Sequence, residues 1–205
     1  FASDPALPMW MKDQTGQTTW HTPPFSANCY RPSEIMGAMA RVQLRKLEGI
    51  LTHTRSLKAA FLEEIREGGT PRGFVLQHVD DPEGDCGVSA AIICHSSEMA
   101  KRYSEALRAE GLSCGTAHNA GFPDRHIYRY WDSVLEKASP HTTGYPWNDP
   151  HYLEQGGDVF YSPEICPQSL DILNRALRFG FNMRMTTHHA RLMARAITKV
   201  DRLLP

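Results

Sequence analysis

The chain has 205 residues, 41% hydrophobic and 22% charged, with 22 Lys and Arg against 23 Asp and Glu. That balance describes an ordinary globular chain. No apolar run approaches the roughly 18 residues of a membrane-spanning helix, and the even charge offers no positive field to a phosphate backbone, so neither a membrane nor nucleic acid is an expected partner.

The first residue is Phe1, followed by the polar Ala2-Ser3-Asp4-Pro5 with no basic segment leading into an apolar one. A signal segment is therefore not expected, and a longer parent protein is. Residues 1–32 are punctuated by Pro5, Pro8, Gly16, Pro23 and Pro24 and carry no sustained period, which reads as an arm packing on another body. Over 33–67 the character changes. Leu44, Leu47 and Leu51, then Leu57, Phe61 and Ile65, return mostly at three- and four-residue steps between charged residues, the pattern of a long amphipathic helix. At about 1.5 Å per residue it spans about 50 Å, so a break near Gly49 and a role linking two parts of a larger protein are expected.

Residues 68–205 read as one α+β domain. Two β-rich runs, 73–79 and 88–94, flank a loop of Asp, Pro and Gly and predict an antiparallel hairpin. Ser96 caps a predicted helix over 97–110, with Gly111 positioned for a left-handed stop. A third strand is expected over 112–117, a short helix over 127–137, and then a loop of nearly thirty residues, 138–165. Pro167 opens a predicted helix to about Leu177, a short strand follows at 179–182, and Thr186 or Thr187 caps a last helix to about Leu203 with Leu192, Met193, Ile197 and Val200 inward.

Few residues advertise chemistry. No GxSxG, P-loop or GxGxxG is present, and five scattered cysteines (Cys29, Cys86, Cys94, Cys114, Cys166) without a CxxC pair indicate neither a disulfide framework nor a zinc ribbon but a reducing cytoplasm. His188-His189 is the densest part of the ten-histidine complement, yet neighbours on a helix point about 100° apart, which disfavours joint chelation. The segment Asn28-Cys29-Tyr30-Arg31-Pro32-Ser33-Glu34 places an amide and a guanidinium just ahead of a helix start. Free N–H groups, the helix dipole and an Arg make an anion site; a helix cap beside a solvated Arg accounts for the same residues.

Tyr30-Arg31-Pro32-Ser33-Glu34-Ile35-Met36-Gly37-Ala38, continued by Gln43-Leu44-Arg45-Lys46-Leu47, resembles the Asn-Tyr-Arg-Met-Ser-Glu signature of the DegT/DnrJ/EryC1/StrS family. Cys166-Pro167 and Asn182-Met183-Arg184-Met185-Thr186 are similar to that family's C-terminal pattern. The resemblance extends over nearly the whole chain and implies the C-terminal small domain of a fold-type I aminotransferase dependent on pyridoxal 5'-phosphate. It also implies that the Schiff-base lysine lies upstream, because none of Lys12, Lys46, Lys58, Lys101, Lys137 and Lys199 stands in the family's lysine context.

By the same resemblance, Arg31 and Asn28 hold the cofactor phosphate across a subunit interface, with Cys29 at the family's Asn position and the amide one residue earlier. His126, His118 and Tyr128 fall where the family places substrate contacts, although histidines and tyrosines on a loop, with an aromatic helix face packed in a core, fit the same positions. Tyr145, Trp147 and Tyr152 could wall a pocket or pack an interface. The implied partners are an N-terminal catalytic half, a second subunit in a homodimer or heteromer, a keto sugar or aminocyclitol precursor, and an amino-acid donor.

Overall fold

The computed structural model describes residues 33–118, 126–139 and 142–204. In chain order the elements are α1 (Glu34–Glu67), β1 (Phe74–Leu76), β2 (Ser89–Cys94), α2 (Ser97–Ala109), a 3-10 turn at Tyr128–Tyr130, α3 (Asp132–Leu135), α4 (Pro150–Tyr152), α5 (Pro167–Arg175), β3 (Ala176–Gly180) and α6 (Thr187–Leu203). They fall into two compact units. Among the described residues, one comprises 33–118 and 168–204 and the other 126–139 and 142–167.

The first unit is α+β: a three-stranded antiparallel sheet in the order β1-β2-β3, with helices packed on it. Its register pairs Phe74 with Cys94, Leu76 with Ile92, Ser89 with Gly180 and Ile93 with Ala176. Because strand side chains alternate, one face presents Phe74, Ala90, Ile92, Cys94, Leu177 and Phe179, all buried. Leu57, Phe61 and Ile65 of α1, Tyr103 and Leu107 of α2, and Ala194 and Ile197 of α6 complete the same core. Phe61 stands at its centre, with ring centroids 5.7 Å from Phe179 and 5.5 Å from Phe181.

The expected hairpin is present in shortened form as β1 and β2. Its connecting loop is fastened to α1: the Thr54 hydroxyl donates to Cys86 O at 2.6 Å, Arg55 Nε to Asp85 O at 2.7 Å, and Lys58 pairs with the Asp85 carboxylate. Gly87 makes the close approach possible. It sits at φ +68°, and a Cβ there would lie 2.5 Å from the Arg55 backbone nitrogen.

Several boundaries differ from the sequence reading. Residues 112–117 form no strand; after Gly111 turns left-handed at φ +81°, only Gly115 bridges to Arg178. The third strand is instead β3, because α5 stops at Arg175 and Leu177 and Phe179 alternate into the core. The helix expected over 127–137 is split, since Trp131 at ψ 68° lies outside helical geometry between the 3-10 turn and α3. Helix α6 buries Ala190, Ala194, Ile197 and Val200, whereas Leu192 is 46% exposed. No break occurs at Gly49, and α1 runs uninterrupted for 34 residues. A single helical Gly costs only about 1 kcal/mol relative to Ala, and the good helix formers around it, from Gln43 to Glu48 and Leu51, outweigh it.

Among the described residues one carboxylate is buried. The Asp201 carboxylate, near the end of α6, accepts from the Tyr103 hydroxyl at 2.6 Å, from the Gly73 N–H at 2.9 Å and from the Arg72 N–H at 2.9 Å. Fully bonded, it pins α6 and α2 to the entry of β1 rather than leaving an uncompensated charge.

Candidate functional site

The candidate anion site stands at the start of α1. Ser33, in extended conformation, accepts the Met36 N–H through Oγ at 3.2 Å and sets the first helical residue at Glu34. The N–H groups of Glu34 and Ile35 have no partner within the helix and stand at the positive end of its dipole. Asn28 and Arg31 lie outside the described residues.

The first half of α1 is exposed on every side from Ser33 to Gly49. Ile35, Met36, Met39, Val42, Leu44 and Leu47 are all large apolar residues open to solvent. A seven-residue spacing carries Leu47 onto the same line as Thr54 and Phe61, and Met36 onto the line of Ile50 and Leu57. The stripe that forms the core in the second half of the helix thus continues uncovered through the first.

His118 belongs to the first unit, where its Nε2 lies 2.8 Å from Asn174 O, a bond that ties the segment after Gly115 to the end of α5. His126 and Tyr128 belong to the second unit. His126 is exposed; the Tyr128 hydroxyl accepts the Cys166 N–H at 2.9 Å, and next to it Arg129 reaches Glu164 at 3.1 Å. Trp147, Tyr152 and Tyr161 form an edge-to-face cluster in that unit, with Trp147 6.1 Å from each of the other two rings. A side-chain hydrogen bond with Tyr161 raises the Tyr152 phenol. Tyr152 also covers Gly157, where a Cβ would meet the ring at 2.3 Å.

The described lysines are largely engaged in ion pairs. Lys58 bonds Asp85, Lys199 lies 2.8 Å from Glu110 and Lys137 3.8 Å from Asp158, while Lys46 and Lys101 are exposed. The Lys58 ammonium and the Gly87 N–H hold the Asp85 carboxyl below its usual range against the opposing effect of burial. Burial pushes the Cys94 thiol up to about 12 and raises Cys114 beside it, so both behave as apolar packing residues rather than nucleophiles.

An open groove of about 1130 Å³ runs between α1 and the chain leaving β1, lined by Ala59, Leu62, Arg66, Leu76 and Val79 among others. Among the described residues no three His, Cys, Asp or Glu side chains converge as a metal site, and no helix is long and apolar enough to cross a membrane. Sequence reasoning passed over Asp201 and the lysine and threonine that grip the 80–87 loop; only an acidic residue on the inward line of α6 could have signalled the first.

The sequence matches no family model and no curated protein.

Proposed function

We propose that this chain is the C-terminal part of a pyridoxal-phosphate-dependent aminotransferase of the DegT/DnrJ/EryC1/StrS type, acting in the cytoplasm on a keto sugar, an aminocyclitol precursor or a similar ketone. The observation that carries the reading is the segment from Tyr30 to Ala38 together with the Ser33-capped helix that begins at Glu34 behind it. An α+β unit with a small antiparallel sheet is compatible with the small domain of such an enzyme.

In this reading Arg31 and Asn28 hold the cofactor phosphate, aided by the α1 dipole. The cofactor, when bound, supplies the electron sink for amino transfer. His126, with His118 and Tyr128, selects the amino acceptor. The Schiff-base lysine comes from an N-terminal half, in the same precursor or in a separate chain, and the assembly is a homodimer or heteromer.

The exposed apolar stripe of α1 favours a second reading, a non-catalytic assembly module derived from the same family. Titration with pyridoxal phosphate separates the two. Binding seen as a visible absorbance band only after co-expression with the upstream polypeptide, and lost in Arg31→Ala, is the outcome expected of a divided enzyme. A complex that forms yet binds no cofactor leaves the assembly module.

A further inference from the structure

In the order β1-β2-β3, the first strand lies at an edge of the sheet. The His95 N–H donates to Gly73 O and the Gln77 N–H to Ala91 O, each at 3.0 Å, which fixes Gly73, Val75 and Gln77 as the residues whose backbone groups face β2. By alternation the N–H and C=O of Phe74 and Leu76 point away from the sheet, and no strand among the described residues pairs with them. Exposed edges are ordinarily protected by a charge, a proline or a bulge. The run Gly73-Phe74-Val75-Leu76-Gln77-His78-Val79 contains no Lys, Arg, Asp, Glu or Pro. Val75 is 55% exposed, and Leu76 and Val79 line the wide groove against Ala59 and Leu62 of α1.

We propose that this edge pairs with the same edge of a second copy of the chain, strand to strand and antiparallel, about a twofold axis at Leu76. Such an interface is self-complementary, so every contact in it occurs twice. Outward backbone groups can bond only to outward ones. With Leu76 opposite the partner's Leu76, Phe74 stands opposite the partner's His78, and the ladder closes. Residues directly opposite share a face, so the two Leu76 side chains meet on the face that carries Phe74, beside the groove of each copy.

Charge selects the register. The same alignment sets Arg72 opposite the partner's Asp80 at both ends of the ladder. The Arg72 side chain is exposed and forms no ion pair among the described residues, and Asp80 lies 3.1 Å from His78 Nε2 with both side chains open to solvent. A slip of one residue sets outward groups against inward ones. A slip of two restores the bonding but separates Arg72 from Asp80. The two copies then share one six-stranded sheet. This pairing does not rest on the aminotransferase reading, whose subunit contact lies at Arg31.

Sedimentation of the whole chain over a range of concentrations, with amide exchange followed by NMR at the two ends of that range, tests the pairing. The expected result is a monomer that becomes a dimer as concentration rises. With it, protection of the Phe74 and Leu76 amides grows by at least about tenfold, while the Val75 amide, already bonded to β2, changes little. Asp80→Arg sets like charges across both ends and weakens the dimer roughly tenfold, and adding Arg72→Asp brings it back to within about threefold of wild type. Both residues are exposed, so the fold tolerates the exchange. A chain that stays monomeric, a dimer that leaves Phe74 and Leu76 unprotected, or a double variant no tighter than Asp80→Arg alone would overturn the proposal.

Discussion

The two halves of α1 are built from one repeating pattern and meet opposite fates. Leu47, Thr54 and Phe61 follow at seven-residue steps, yet Phe61 and Thr54 are sealed in the core while Leu47 is exposed. The difference lies in what is opposite. From Ile50 onward the helix finds the 80–87 loop, the sheet and α6; before it, no described residue covers the stripe. Amphipathic periodicity reports that a face is designed for contact, and the rest of the fold decides whether the contact is made within the same unit.

The largest test of this contrast is Phe61→Ala, which removes the ring packed between Phe179 and Phe181. A loss of about 3–5 kcal/mol in urea unfolding is expected. Lys58→Ala comes next, because it strips the ammonium from the partly buried Asp85 carboxylate; about 1–3 kcal/mol is expected near neutral pH. Here acid sharpens the comparison. Asp85 titrates below its unfolded value, so its contribution is full above about pH 4 and disappears as the pH falls through the depressed folded value. The gap between wild type and Lys58→Ala should therefore close on acidification; a gap independent of pH would mean that lost packing of the Lys58 stem accounts for the whole effect. The smallest change belongs to the uncovered half: Met39→Ala, at a residue 62% exposed, should move stability of the chain alone by no more than about 0.5 kcal/mol. A large loss there would show that the stripe is covered within the chain.

What could be read from the sequence follows from how local each cause is. Ser96, Thr186 and Pro167 announce helix starts through their own chemistry, and each stands at the beginning of its helix. The β1 and β2 pairing was legible because Asp, Pro and Gly crowd the loop between them. The beginning of β3 was not, since Leu177 continues the helical spacing of α5 as well as it starts a strand, and only the register with Ile92 chooses between them. Of the proposed site, Ser33 and the start of α1 were legible as a cap, whereas the bond of His118 to Asn174 O joins residues 56 apart and leaves no local trace. Asp201 is hidden for the same reason, its partners lying 98 to 129 residues away.

That separation bears on how the molecule is made. During synthesis Arg72, Gly73 and Tyr103 leave the ribosome long before the carboxylate that fastens them, and closing so long a loop has to await the last turn of α6. Until residue 201 arrives, the entry of the first strand is a set of donors without their acceptor. The entry to the sheet's first strand is thus completed by a carboxylate that follows it by 128 to 129 residues.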